Sequence, residues 1–431
     1  MTSLLVLQQV RAVDPARQLD AVVDIVIERG RIIRIGRGAA SELSPSEHVK
    51  FVRGPLTVFP GFIDLHTHLR EPGHEYKEDI ASGLKAAAHG GFVAVCSMPN
   101  TKPVNDRRSI TDAIVARAKE VGGTRLHPIG AVTVGSEGHK LADIGDMRLA
   151  GAVAISDDGR CVTSSSVMRH ALEYARTFDM PVIQHAEDHA LTEGAQMNEG
   201  AVSTRIGLRG WPRVAEDIIV ARDVLLAEAT GARYHVAHVS THGAVRILRE
   251  AKSRGIRVTA EVTPHHLLLT DESVIGYNTA CKVNPPLRLA EDVAALREAL
   301  ADGTIDCIAT DHAPHSGLEK DCEFSAAAPG MLGLELCVPL LYGFVLDGTL
   351  RIERFVDALS QAPAGIVSLE RPTLAEGARA DITVIDPEAR WHIDPSKFRS
   401  KSKNTPFAGR EVRGRVTMTI VGGNVAFEFG S

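Results

Sequence analysis

Short apolar runs recur through the middle of the chain, each followed by polar or Gly-rich residues and then by a stretch of helical periodicity. Eight such runs occupy residues 57–65 (TVFPGFIDL), 91–98 (GFVAVCSM), 125–132 (RLHPIGAV), 151–156 (GAVAIS), 180–185 (MPVIQH), 232–239 (ARYHVAHV), 256–262 (IRVTAEV) and 306–310 (DCIAT). Helical patterns lie between them, for example at 110–121 (ITDAIVARAKEV) and 215–230 (AEDIIVARDVLLAEAT). Apolar strands alternating with helices imply a parallel sheet, and eight units imply closure into a (β/α)8 TIM-type barrel. An open doubly wound sheet is the alternative. It would carry a GxGxxG loop after its first strand, and none follows here.

The two ends of the chain have a different period. Residues 22–36 (VVDIVIERGRIIRIG) alternate apolar and polar positions around a Gly turn, as a hairpin does. Residues 380–387 (ADITVIDP) and 412–428 (VRGRVTMTIVGGNVAFE) do the same, with a second turn at Gly422–Gly423. Both ends are therefore expected to pair into one small β-sandwich-like domain, 1–56 with 369–431. The catalytic barrel is expected over 57–368.

Composition changes this picture little. Only 4% of the 431 residues are aromatic, so the core must rest on Val, Ile, Leu and Ala, the residues that fill α/β barrels. A net charge of −6 offers no electrostatic reason to bind nucleic acid or a membrane surface. No apolar run approaches the roughly 20 residues that span a bilayer. The N-terminal residues lack the basic region of a signal peptide. The six cysteines are scattered with no CxxC pair, as expected of reduced thiols in a cytoplasmic protein.

The candidate chemistry sits where the apolar runs stop. The first ends in Asp64-Leu65-His66-Thr67-His68, and strand alternation points His66 and His68 to the same side. The fourth ends in Ser156-Asp157-Asp158-Gly159, and alternation lets only one of the two Asp residues face inward. His185, His238 and Asp311 close the fifth, sixth and eighth runs. This is the C-terminal rim where barrel enzymes keep their chemistry. Four His and two Asp suit zinc. They are too many for one tetrahedral ion and suit two, about 3.5–4 Å apart with a carboxylate between them. Such a pair activates water and polarises a carbonyl, which is the chemistry of amide hydrolysis or its reverse. Asp311 is the candidate to carry the proton.

Other residues have two readings by position. Arg70 at the rim could fork onto a substrate carboxylate or simply face solvent. Asn100 and Asn284 could bind substrate or cap turns. His265 and His266 read as packing residues, His242 as structural, and His235, three residues from His238, as facing away from the site. The long small and polar segment 316–333 reads as a lid.

These stretches resemble the dihydroorotase family, in particular its longer bacterial type. The resemblance is carried by PGFIDLHTHLREPG (60–73), SMPNTKPVND (97–106), SDDG (156–159), QHAED (184–188), VAHVST (236–241), EVTPHH (261–266), KVNPPLR (282–288) and ATDHAPHSGLEK (309–320). It implies that His66, His68, Asp158, His185, His238 and Asp311 hold one or two zinc ions, with Asp311 as proton shuttle. It implies substrate contacts from His68, Arg70, Asn100, Asn284 and His315, and from the loop backbone at Pro329 and Gly330. The implied reaction interconverts N-carbamoyl-L-aspartate and L-dihydroorotate in pyrimidine biosynthesis. Related cyclic amidases bridge their metals with a carboxylated Lys on the fourth strand. No Lys stands there in this chain, and the spacing to His185 favours Asp158 as the bridge. Thr67, Ala186 and Pro329 depart from the family's usual residues, and Pro329 bears on how the loop closes.

The resemblance also implies a homo-oligomer and admits a complex with aspartate transcarbamoylase, on which some members of this subclass depend. Non-catalytic members that only scaffold that enzyme have lost metal ligands, and this chain keeps all six. A cyclic amidase for a neutral ring remains the rival activity. Arg70→Ala is expected to cripple turnover of a carboxylated ring while sparing a neutral one, and steady-state rates on the two substrate types check it.

Overall fold

The computed structural model describes residues 4–46 and 48–430; residues 1–3, 47 and 431 of the expected terminal unit lie outside the described residues. Eighteen strands are found among the described residues. The N-terminal ones are β1 (Leu4–Asp14), β2 (Leu19–Glu28), β3 (Arg31–Gly36), β4 (Val49–Arg53) and β5 (Thr57–Pro60). The barrel begins with β6 (Phe62–Thr67), β7 (Phe92–Ser97), β8 (Arg125–Gly130), β9 (Ala154–Ser156) and β10 (Val182–Gln184). A two-residue pair, β11 (Met197–Asn198) with β12 (Gly210–Trp211), follows. Then come β13 (Tyr234–Val236), β14 (Val258–Val262), β15 (Cys307–Ile308), β16 (Ile382–His392), β17 (Glu411–Val421) and β18 (Asn424–Glu428).

The alternating termini fold as their period predicts. One sheet runs β18-β17-β16-β5-β1-β2-β3, with β4 parallel to β1. Leu5, Leu7, Ile25 and Ile27 from the N-terminal strands share a buried cluster with Ile382, Val384, Met418 and Ile420 from the C-terminal ones. Antiparallel pairing of β5 with β16 joins the two ends of the chain.

One sequence expectation changes here. The run 57–65 is not a single barrel strand: Thr57–Pro60 pairs in the terminal sheet and the barrel begins at Phe62. The division falls at Gly61, whose N–H donates to Asp381 O. A Cβ at Gly61 would lie 2.5 Å from Val93 Cγ1, so only glycine lets the chain pass this close while changing sheets. Both halves are fully buried, and hydrophobicity alone does not show the change.

The second sheet runs β15-β14-β13-β10-β9-β8-β7-β6, all parallel. It closes where Thr67 bridges His312 and His68 N–H donates to His312 O at 2.9 Å. The Asp64 carboxylate reinforces the seam by accepting from Thr310 N–H at 3.0 Å and from the Thr310 hydroxyl at 2.5 Å. Alternation separates the two layers. Ile63, Leu65, Cys96, Ala154 and Ile183 fall in one buried cluster, while Phe62, Val95, Ile155 and Val182 pack with the helices in another.

Several helices bury one stripe. In Ser165–Arg176 the buried residues are Met168, Ala171, Leu172 and Ala175, at helical spacing, and the Ser164 side chain accepts from Val167 N–H to cap the first turn. The expected helices appear as Arg108–Val121 and Val214–Thr230. No helix of the described residues is long and apolar enough to cross a membrane. All six cysteines are free thiols.

Where the terminal sheet meets the barrel, Phe59, Phe62 and Phe355 stack closely, with Phe355 at 5.8 Å from Phe62 and 6.3 Å from Phe59 between ring centroids. Phe355 has no exposed surface. Phe355→Ala is expected to cost about 3–5 kcal/mol of stability through the cavity it leaves, measurable by denaturant unfolding.

Candidate metal centre

Five of the barrel strands lead to the six candidate ligands at their C-terminal ends. His66 lies in β6 and His68 follows it; Asp158, His185 and His238 each stand just past the end of β9, β10 and β13. Asp311 follows β15. Asp311, His238 and Arg70 all have positive φ, at 45°, 31° and 62°, a conformation uncommon for such residues and typical of functional sites.

Four imidazoles converge on Asp158, and Asp311 meets two of them. Its Oδ1 lies 3.3 Å from His66 Nε2, 3.5 Å from His238 Nε2 and 3.8 Å from His185 Nδ1. Its Oδ2 lies 3.4 Å from His68 Nε2. Asp311 Oδ1 stands 3.1 Å from His68 Nε2 and 3.6 Å from His66 Nε2. Two groups, His66–His68–Asp311 and His66–Asp158–His238, each bring three donor atoms within reach of one cation. One carboxylate that reaches four imidazoles through both its oxygens has the placement of a bridge. Asp157 points elsewhere, accepting from Val132 N–H at 2.8 Å and Thr133 N–H at 3.1 Å.

The imidazoles are held from behind so that a lone pair faces the centre. His66 Nδ1–H donates to Glu261 Oε1 at 2.6 Å, His68 Nδ1–H to Asn100 Oδ1 at 2.9 Å, and His185 Nε2–H to Glu187 Oε2 at 2.9 Å. His66 Nε2 and Asp158 Oδ1 are buried without a hydrogen-bond partner. Two facing acceptors of this kind call for a cation between them, and the His/Asp donor set suits zinc or a similar ion. Burial opposes the charge on Asp158, but His66 and His238 hold its carboxyl well below the usual range. Glu187 is likewise buried at a cost and kept ionised by His185 and His189.

A cavity of about 190 Å³ opens beside this cluster, lined by His68, Arg70, Asn100, Asn284, His315, Pro329 and Gly330 together with Asp158, His185, His238 and Asp311. All the residues that the sequence assigned to substrate thus face one space. Burial and the nearby Arg70 push the His315 imidazole down to about 3, leaving it neutral at pH 7. Its Nε2–H donates to Pro329 O at 2.9 Å, so Arg70 is the cationic group of the cavity. Asn284 Nδ2 donates to Glu187 at 3.2 Å, and its Oδ1 is buried and unpartnered. The Gly330 N–H already donates to Lys282 O at 2.8 Å. Gly330 has φ of 139°, and a Cβ there would lie 2.7 Å from Ala313 Cβ, so this approach to the cavity requires glycine.

The segment 316–333 is fastened. Lys320 donates to Ala328 O at 2.8 Å, and Lys282 to Phe324 O at 2.7 Å and Ser325 O at 3.0 Å. Asn404, on the far C-terminal side of the chain, completes the roof: Nδ2 donates to Ala313 O and Gly330 O, and Oδ1 accepts from His315 N–H. Sequence reasoning missed Asn404, Glu187 and Glu261. Strand alternation from His185 and along β14 could have found the two Glu residues; nothing local marks Asn404. His235 was expected to face away, yet it is buried inside the barrel against Glu261 at 3.2 Å. The three-residue count fails because the chain leaves strand geometry after Val236 and turns to positive φ at His238. His266 Nε2–H donates to Pro285 O and shapes the turn beside Asn284. His242 begins a helix and pairs with Asp292.

A closed parallel barrel with paired carboxylates and four imidazoles at its C-terminal mouth defines the class: an amidohydrolase, an enzyme that cleaves cyclic amides. Residues 56–244 match the family model described as dihydro-orotase-like. A dihydroorotase of Anaeromyxobacter dehalogenans is 52% identical over 430 residues, covering 99% of both chains. One of Geobacter metallireducens is 51% identical, covering 98% of this chain and 99% of that one. The chain belongs to the dihydroorotase family. Among solved structures, the D-hydantoinase (dihydropyrimidinase) from Thermus sp. has a TM-score of 0.82 at 26% identity, covering 99% of this chain and 96% of its own. The L-hydantoinase (dihydropyrimidinase) from Arthrobacter aurescens reaches 0.88 at 24% identity, covering 100% and 97%, and shares the fold.

Asn404→Ala would strip donors from two buried carbonyls. A loss of about 1–3 kcal/mol in stability is expected, with KM rising more than kcat falls; denaturant unfolding and steady-state kinetics read the two effects.

Proposed function

We propose that this chain catalyses the reversible, zinc-dependent cyclisation of N-carbamoyl-L-aspartate to L-dihydroorotate in de novo pyrimidine (UMP) biosynthesis. The observation that carries this reading is the shared cavity: Arg70, the neutral His315 and two Asn amides face the same space as five of the six candidate ligands, and His66 stands behind them against Asp158. A carboxylated ring amide needs that combination, and a neutral ring has no use for the half-buried guanidinium.

His66, His68, Asp158, His185, His238 and Asp311 would hold one or two zinc ions, with Asp158 between them. Bound zinc would supply the electrophilic and water-activating chemistry of the site. Asp311 takes the proton released by the attacking water. It passes that proton to the ring nitrogen as the amide C–N bond breaks, and the reverse direction runs through the same two transfers. Arg70 binds the substrate carboxylate by charge, with Asn100 and His315 beside it. Asn284 and the loop at Pro329 and Gly330 enclose the ring and exclude water.

We assign catalysis to the barrel, 57–368 in the sequence division. The composite unit of 1–56 with 369–431 supports it, and from there Asn404 braces the backbone of residues that line the cavity. A cytoplasmic homo-oligomer, alone or in complex with aspartate transcarbamoylase, completes the proposal.

The zinc-loaded protein is expected to open the ring of L-dihydroorotate and to leave hydantoin and allantoin untouched. Silence on all three, both alone and with aspartate transcarbamoylase added, would overturn the proposal. Asp311→Asn is expected to abolish turnover with much of the metal retained; near-normal turnover would remove Asp311 from the shuttle role.

A further inference from the structure

Behind the candidate ligands lies a polar chain that the proposed reaction does not use. Glu261, on β14, has no exposed surface. Its Oε1 accepts from His66 Nδ1–H at 2.6 Å and from the His238 backbone N–H at 3.3 Å. Its Oε2 accepts from His235 Nε2–H at 3.2 Å, and His235 Nδ1 accepts from the Thr259 hydroxyl at 2.8 Å. These partners include no Lys or Arg. A carboxylate this deep in a barrel is costly unless a cation answers it. The nearest place for one is the far side of His66, where Nε2 and Asp158 Oδ1 face each other unpartnered.

Cys307 lies within ligand distance of His235 and Glu261. Those three do not form an ion site of their own, because Glu261 and both nitrogens of His235 are already hydrogen-bonded. The pattern is that of a carboxylate supporting a metal-bound imidazole.

We propose that Glu261, itself aimed by His235, is a positioning residue that holds His66 with Nδ1 protonated and Nε2 free, and lends the centre a further negative charge. This rests on the reading that the centre binds metal. It goes beyond that reading in assigning His66 a two-residue support, Glu261 then His235, that tunes ion affinity.

The test is the zinc dissociation constant, measured by chelator competition on folded, metal-free full-length protein. The melting temperature of each metal-free variant confirms its fold. Glu261→Gln keeps the shape and removes the charge; it is expected to bind zinc about 10–100-fold more weakly. His235→Gln retains a donor for Glu261 and is expected to bind close to the parent, while His235→Leu loses on the order of tenfold. Parental affinity in folded Glu261→Gln overturns the proposal. Should that variant not fold, equal affinity in the two His235 variants overturns it. A purely structural role would lower the melting temperatures and leave the dissociation constants unchanged. If the parent binds zinc but does not open dihydroorotate, the proposed substrate falls while this measurement still stands.

Discussion

A single buried carboxylate organises the molecule's chemistry. Asp158 sits buried among four imidazoles at 3.3–3.8 Å, at the edge of the cavity. Ionised, it is tolerable there only because the histidines and the cation they can hold surround it. Three of the histidines, His66, His68 and His185, have their other nitrogen bound, by Glu261, Asn100 and Glu187 from the barrel interior and the rim. The demand for hydrogen-bond satisfaction spreads outward from one atom to strands far apart in the sequence.

The barrel makes that arrangement affordable in geometry. Short parallel strands end together at the mouth, so six ligands arrive from five strands: His66 and His68 from β6, and one each just after β9, β10, β13 and β15. The seam between β6 and the segment after β15 matters most, because His66, His68 and Asp311 all lie beside it. Asp64 and Thr310 clamp this seam one layer below the ligands. Stability and ligand placement are thus set by the same contacts.

The terminal sheet is more than an appendage. Its strands come from both chain ends and meet through β5 and β16. The segment leading into β17 carries Asn404 to the loops over the cavity, where it binds three backbone groups at once. A residue from the support unit therefore shapes the cavity that the barrel creates, by tying the His315 and Gly330 backbones in place.

Much of this was legible in the residues. Eight apolar runs spaced by helical patterns specify a parallel barrel, because only crossover helices can connect parallel neighbours. His66 and His68 declare their common side through the two-residue period of a strand. Asp158, His185, His238 and Asp311 mark themselves by standing where apolar runs end. Other features needed the folded chain. Gly61 divides one apolar run between two sheets, and both halves are equally buried, so composition carries no trace of the division. His238 shares the inward side with His235 because the strand ends at Val236 and the chain turns to positive φ at His238, a backbone event that residue spacing does not encode. Asn404 and Glu261 act across long sequence separations, and hydrogen bonds between distant strands exist only once the closed barrel has fixed their register.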